Sequence, residues 1–145
     1  MNIRAIDFIT EDFYESLSFM DGELPDLETV RSLFYGEGLL INNSTNEPVN
    51  YTAESFIKEI EEQIEDGWLL QFMQRELYSK TEIFGRIAQR MSVYEYSYSY
   101  LEKEDLQRGV NYIQFIQDGD EWRITSMAWN DENENFRVPE EGQSG

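Results

Sequence analysis

The chain has 145 residues, of which 40% are hydrophobic and 14% aromatic, so it is long and apolar enough to fold as one domain with its own core. Its 30 acidic and 11 basic side chains give a net charge of −19, which repels phosphate backbones and anionic lipids. We therefore expect no nucleic-acid and no membrane partner. The absence of cysteine and histidine excludes disulfides, thiolate nucleophiles and Ser–His or Cys–His catalytic pairs.

The sequence also gives expectations about location and bound groups. No apolar run approaches the roughly 18 residues of a membrane span, and residues 1–4 lack the apolar core of a signal peptide, so we predict a cytoplasmic protein. The acidic segment 118–121 lacks the ligand spacing of a calcium loop, and a turn explains it without a metal. We expect no metal and no cofactor, so any acid–base chemistry must come from Asp, Glu, Tyr or Lys.

Three helices are predicted in the first half of the chain. Apolar residues at helical spacing predict a first helix over 10–20, capped by Thr10, with an alternative start near residue 3. A second helix is expected over 25–36, between a proline and a glycine. A short buried strand over 39–41 and a polar loop precede a third helix over 52–67.

Four long strands follow. Residues alternate between two faces over 68–78, and β-rich runs cover 84–100, 108–115 and 122–129. The turn sequence over 118–120 joins the last two runs as a hairpin. Helices segregated to one side of an antiparallel sheet predict an α+β fold. We expect a single domain over 1–132 and a polar, acidic, frayed tail over 133–145.

Several patches of the sequence resemble the nuclear transport factor 2-like superfamily. They are residues 13–34, the Phe-Gly-x-Ile-Ala pattern at 84–88, the Arg-Gly-x-Asn-x-x-Gln pattern at 108–114 and the segment 119–124. The resemblance covers roughly 8–132 and is strongest to small bacterial members of unassigned function. It implies a cone of curved antiparallel sheet closed by three N-terminal helices. Members include polyketide cyclases, isomerases, dehydratases and transport adaptors, so the fold alone does not give the function.

The resemblance also allows a comparison with the ketosteroid isomerases of this superfamily, which use an aspartate base and an oxyanion hole made of a tyrosine and a protonated aspartate. The base position falls on Asn42, the oxyanion acid on Asn111, and the tyrosine on Phe13 or Tyr14. Because a neutral amide cannot accept the proton, we expect no ketosteroid isomerase activity. Scytalone dehydratases need histidines, which this chain lacks.

Glu76 is the candidate catalytic residue. The alternation over 68–78 places it on one strand face with Phe72 and Gln74, and a carboxylate on a mostly apolar face is suited to acid–base work. The structural alternative is a buried glutamate paired with Arg86, Arg90 or Arg108, or a solvated position at the rim, and this alternative is favoured. A separate alternation places Tyr94, Tyr96, Tyr98 and Tyr100 on one face, either as an aromatic wall or as an amphipathic strand.

Our leading interpretation is a small-ligand-binding protein with an apolar cavity and no evident catalytic set, whose partner is a small hydrophobic molecule. The predicted ligand-binding residues are Tyr14, Asn42, Phe72, Gln74, Tyr94, Asn111 and Trp129. One alternative is a lyase or isomerase acting on a small hydrophobic carbonyl compound with Glu76 as base, and another is a protein-interaction adaptor. Because strands over 84–100 carry large side chains on both faces, we also expect a homodimer.

Overall fold

The structure, a computed structural model, describes residues 2–99 and 105–141. Its elements are, in chain order, α1 (Asn2–Leu17), α2 (Leu27–Ser32), β1 (Phe34–Asn42), β2 (Val49–Tyr51), α3 (Ala53–Glu65), β3 (Met73–Phe84), β4 (Ile87–Ser97), β5 (Gln107–Asp118) and β6 (Glu121–Asp131). Within the described ranges, no helix has both the length and the apolar character that crossing a membrane requires.

The strands form one curved, unclosed sheet in the order β2-β1-β6-β5-β4-β3. Strands β3 to β6 make an antiparallel meander, and β1 joins it by pairing parallel to β6. The three helices precede this meander, as predicted for an α+β fold. The core lies between α1 and the inner sheet face, where Phe13 and Leu17 pack with Ile113, Phe115 and Met127.

The helix boundaries differ from those predicted in two places. The first helix begins at Asn2, close to the alternative start, and Thr10 does not cap it but donates to the Ile6 carbonyl at 2.8 Å. The second helix ends at Ser32 rather than at Gly36, because Phe34 pairs with Ile124 of β6 and so begins a strand. The predicted cap of the third helix is confirmed, since Ser55 N donates to Thr52 Oγ1.

The strand predicted over 39–41 extends over the whole of β1, and glycines explain the missed part. Gly36 and Gly38 have φ values of +60° and +69° and lie in a bulge between Phe34 and Leu39. A Cβ at Gly38 would lie 2.7 Å from Phe34 Cδ1. The glycine that suggested a helix stop therefore serves a bulge, which apolar periodicity cannot reveal. The short strand β2 was not predicted.

The run predicted over 84–100 contains the end of one strand and the start of another. β3 continues to Phe84, Gly85 has a φ of +57°, and β4 begins at Ile87. A glycine at the first central position of a two-residue hairpin turn is a common arrangement. The predicted strand over 68–78 begins later, at Met73, because Trp68 lies in the connection after α3 and is 84% exposed.

The C-terminal tail has no helix or strand over 133–141, but it is attached to the sheet rather than frayed. The Tyr78 hydroxyl donates to the Pro139 carbonyl, and Val138 N donates to Glu132 Oε2 at 2.7 Å. Val93, the cross-strand partner of Tyr78, is fully buried although it lies outside the main core. The tail therefore runs along the outer face of β3 near this pair. Residues 142–145 lie outside the described part of the chain.

Candidate functional site

A cavity of about 230 Å³ lies between α1, α3 and the inner face of the sheet, and it is partly open to solvent. Its lining is dominated by aromatic side chains, namely Phe13, Tyr51, Phe56, Phe72, Tyr94, Tyr96, Tyr98 and Trp129. For comparison, an apolar cavity of about 150 Å³ holds benzene. This cavity therefore has room for a single-ring compound with a short side chain.

The rings form two groups on opposite walls. The α3-side aromatic group consists of Tyr51, Phe56 and Trp129, with ring centroids 5.6 Å and 6.0 Å apart in edge-to-face contacts. The β4-side aromatic group consists of Phe72, Tyr94, Tyr96 and Tyr98, with neighbouring centroids 5.5 to 6.1 Å apart. Such contacts hold the rings in place against one another, so the walls are formed before any ligand enters.

Asp131 joins the two aromatic groups. It lies two residues after Trp129 on β6 and accepts hydrogen bonds from Tyr94 Oη at 2.6 Å and from Tyr96 Oη at 3.1 Å. Burial, together with the nearby charge and hydrogen bonds of Asp131, raises the pKa of both tyrosines above the usual value. Both phenols therefore remain neutral donors, and the carboxylate is held at the cavity wall.

The approach of Tyr94 to Asp131 depends on Gly109 of β5. A Cβ at Gly109 would overlap Tyr94 Oη and would lie 2.8 Å from the Asn130 carbonyl. The residue faces Tyr94 in the β4–β5 pair and Asp131 in the β5–β6 pair. Glycine is therefore required here because the tyrosine hydroxyl occupies the space of a side chain.

A second polar chain begins at Asn111 and runs away from the cavity. Asn111 Nδ2 lies 3.4 Å from Tyr14 Oη, Tyr14 Oη lies 2.9 Å from Ser92 Oγ, and Ser92 Oγ donates to Glu76 Oε2 at 2.6 Å. The Ser92 proton is used by Glu76, so Tyr14 must donate to Ser92 and accept from Asn111. This direction fixes the amide of Asn111 with its nitrogen toward Tyr14. Burial raises the pKa of Tyr14 well above its usual value, which keeps its proton in the chain.

The fixed orientation leaves one acceptor of Asn111 unused. Asn111 is 2% exposed and lines the cavity, and its Oδ1 accepts no hydrogen bond from the described residues. An unsatisfied buried acceptor costs free energy in the absence of a partner, and such atoms call for an explanation such as a ligand.

Glu76 does not occupy the position that the general-base hypothesis requires. Arg90 Nη2 and Nε donate to its two oxygens at 2.5 Å and 3.0 Å, and Ser92 adds a third bond. Arg90 also binds Asp7 at 2.6 Å. Of the predicted alternatives, the pair with Arg90 is the one present. Glu76 lies instead on a second cavity of about 330 Å³, bordered by Tyr14, Gln74 and Arg75.

The structure brings six of the seven predicted ligand-binding residues to the aromatic cavity. These are Asn42, Phe72, Gln74, Tyr94, Asn111 and Trp129. Tyr14 lies behind the lining, in the hydrogen-bonded chain, and borders the second cavity. Ligand binding by all seven stays a prediction. Tyr94 and Tyr96 are buried and bound to Asp131, so they form an aromatic wall and not a solvated face; Tyr100 lies outside the described residues.

Sequence reasoning missed Asp131 and the contribution of α3. Phe56, Glu59, Ile60 and Gln63 all line the cavity, and their spacing of three or four residues is that of one helix face. The same argument of period two that groups Tyr94 with Tyr96 groups Trp129 with Asp131. Both signals were present in the sequence, but neither α3 nor Asp131 was among the predicted ligand-binding residues. Within the described ranges, no group of three potential metal-ligating side chains occurs.

No protein-family model matches the chain, and no characterised protein matches its sequence significantly. Solved structures match in fold. A protein from Novosphingobium aromaticivorans, described as a candidate scytalone dehydratase, shares 13% identity over 99% of this chain and 95% of its own, with a TM-score of 0.70. A nuclear transport factor 2-like protein of unknown function from Pseudomonas putida shares 8% identity over 90% of this chain and 87% of its own, with a TM-score of 0.69.

A protein of unknown function with a cystatin-like fold from Nostoc punctiforme shares 14% identity over 91% of this chain and 92% of its own, with a TM-score of 0.67. Sequence identities this low indicate a shared fold but not a shared activity. The TM-scores of 0.67 to 0.70 over at least 90% of this chain show that the overall fold is shared. The chain therefore has the nuclear transport factor 2-like fold, as the sequence resemblance predicted.

Proposed function

We propose that the protein binds a small, largely aromatic organic molecule in the cavity between α3 and the sheet. The observation that carries the proposal is a cavity of about 230 Å³ with preformed aromatic walls on two sides. Binding sites of this kind are concave, mostly apolar and supplied with a few polar groups that orient the ligand. Here Asp131, Asn42 and Asn111 are such groups.

Indole N–H signals in NMR spectra test the proposal with a control inside the molecule. Trp129 lines the cavity, whereas Trp68 is 84% exposed and lies outside the lining. On titration with p-cresol or indole, the Trp129 signal should shift and saturate while the Trp68 signal stays in place. A Trp129 signal that fails to respond to either compound would contradict the proposal.

A filled cavity provides the second control. Ile60→Trp places a large ring in the lining, and Lys58→Trp places the same ring at an exposed position of the same helix. We expect Ile60→Trp to lose binding and Lys58→Trp to keep it, with both variants folded by circular dichroism. Equal binding by the two variants would place the ligand elsewhere.

The second candidate function is that of a lyase or isomerase acting on a small hydrophobic carbonyl compound. The likeness to the candidate scytalone dehydratase supports it at the level of fold. Asp131 and Glu59 line the aromatic cavity and Glu76 does not, so Asp131, which lies beside Trp129 and Tyr94, is a better placed base than Glu76. Asp131→Asn should then abolish any turnover, whereas Glu76→Gln should act mainly through stability.

We also propose that the outer sheet face pairs two chains into a homodimer. Ile87 and Tyr112 on this face are 58% and 61% exposed, and their cross-strand partners Ile116 and Met91 extend the apolar patch. The inner face is already covered by helices, and within the described residues Pro139 of the tail contacts the outer face at Tyr78. A patch of this kind favours association with another copy.

A further inference from the structure

The charged groups of the aromatic cavity are all negative. Of the described residues that line it, Glu59 and Asp131 are charged, and none is a lysine or an arginine. The nearest arginines along the same strands are used elsewhere: Arg90 binds Glu76 and Asp7, and Arg108 binds Glu132. A negatively charged ligand would therefore be repelled here without any compensating cation.

The carboxylate of Asp131 keeps free acceptor positions at the cavity wall. Each of its oxygens accepts one tyrosine hydroxyl, and each carboxylate oxygen has a second lone pair. Tyr94 donates its proton to Asp131, and the hydroxyl of Tyr96 lies 3.1 Å from both Asp131 Oδ2 and Gln107 Oε1. A ligand with an N–H donor can therefore use the free positions on Asp131.

The aromatic walls add attraction for positive charge. The faces of tyrosine, tryptophan and phenylalanine rings attract cations, and the attraction grows when water is excluded. Trp129 and Tyr94 line the cavity together with Asp131: Trp129 lies two residues before it on β6, and Tyr94 donates a hydrogen bond to it. A charged nitrogen close to this carboxylate would therefore lie near aromatic rings from both groups.

We infer that the ligand is an organic amine, with an apolar body against the rings and an ammonium group near Asp131. The inference rests on the proposed function and specifies its ligand class. Aromatic rings alone would accept a neutral compound equally well. The negative lining and the unused acceptors distinguish the amine from its neutral and acidic counterparts.

Three probes of nearly equal size and different charge test this inference: 2-phenylethylamine, 2-phenylethanol and phenylacetate. At pH 7 the first carries an ammonium group and the last a carboxylate. By calorimetry we expect the amine to bind about ten-fold more tightly than the alcohol, as one partly desolvated charge interaction would give, and phenylacetate not to bind measurably. Added salt should lower the affinity for the amine and leave the affinity for the alcohol unchanged.

Asp131→Asn should abolish the preference for the amine, so that the amine and the alcohol bind this variant with equal affinity. Glu61→Gln, at an exposed acid of α3, removes the same charge away from the cavity and should change neither. If Asp131→Asn does not fold, the test relies on the amine affinity of Glu59→Gln and on the salt dependence of amine binding to the unmodified protein. Equal affinities for amine and alcohol, or tighter binding of phenylacetate, would overturn the inference and leave the proposed function standing. Failure of all three probes to shift Trp129 would overturn both.

Discussion

Tyr94 and Asp131 lie on strands separated by β5, and they meet directly above Gly109, where the phenol donates to the carboxylate at 2.6 Å. The contact passes over a strand that has no side chain at that point. The β4-side wall of the cavity therefore requires glycine, a residue without a Cβ atom, at position 109.

Gly109→Ala should destabilise the protein by about 1–3 kcal/mol, the usual cost of forcing extra atoms into a packed interior. The added methyl group overlaps Tyr94 Oη and presses on the Asn130 carbonyl. Urea unfolding measures the change. In a Tyr94→Ala background both the hydroxyl and the ring carbon Cζ, which would lie 2.5 Å from the added methyl group, are gone, so the same substitution should cost less. An equal cost in both backgrounds would show that Tyr94 is not what Gly109 accommodates.

Arg90→Met should cost about 3–5 kcal/mol, because it leaves Glu76 with a buried, unpaired charge. The Arg90 side chain is 3% exposed and that of Glu76 is 13% exposed. The double variant Arg90→Met, Glu76→Leu should recover part of the loss. Arg31→Met is the control, since its partners Glu28 and Glu54 are 85% and 66% exposed, and its loss should cost about 1 kcal/mol or less.

High pH should unfold the protein through its buried phenols. Burial raises the pKa of Tyr14, Tyr94 and Tyr96, so each favours the folded state while neutral. This contribution is complete below the unfolded tyrosine pKa of about 10 and is lost as pH rises toward the folded-state values. We expect the free energy of unfolding to fall above about pH 10.

Absorbance at 295 nm, followed together with far-ultraviolet circular dichroism, checks this dependence. These three hydroxyls should ionise only as the secondary structure is lost, and Tyr94→Phe should show a shallower loss of stability with pH. Ionisation of every tyrosine in a protein that is still folded would refute the assignment.

Tyr112→Glu should convert the proposed dimer into a monomer, since it places a charge in the centre of the outer-face patch. Light scattering at micromolar concentration should give twice 17.2 kDa for the unmodified chain and 17.2 kDa for the variant. Tyr35→Glu, at another tyrosine that is 49% exposed, should remain dimeric. If the unmodified chain proves to be a monomer, the homodimer proposal is wrong.

The sequence predicted most of the fold because apolar periodicity and turn residues act locally. The period of two in β4 correctly placed Tyr94 and Tyr96 on one strand face, which is the buried one, and the cap at Thr52 was correct. The errors arose at glycines, because a glycine can end a helix, lie in a bulge or form a hairpin turn. Gly36 lies in a bulge and Gly85 in a hairpin turn. Local sequence does not distinguish a helix stop from either of these.

Only part of the candidate site was predictable, because some of its contacts join parts of the chain that are far apart in sequence. Asn42 and Asn111 were found by comparison with a family pattern, and both line the cavity. The pairing of Asp131 with Tyr94 was not predictable, because it joins strands that are 37 residues apart in sequence and not adjacent in the sheet. The salt bridge of Glu76 with Arg90 was one of several that the sequence allowed.

The parallel pairing of β1 with β6 has a consequence for the order of folding. Strands β3 to β6 can assemble from neighbouring hairpins, whereas β1 must wait for the last strand, roughly ninety residues later, before it gains its partner. The aromatic cavity is lined by α3 and by Trp129 and Asp131 of β6, so it cannot be complete until β6 has been synthesised. A ligand present during synthesis would therefore stabilise the finished domain and none of its earlier intermediates.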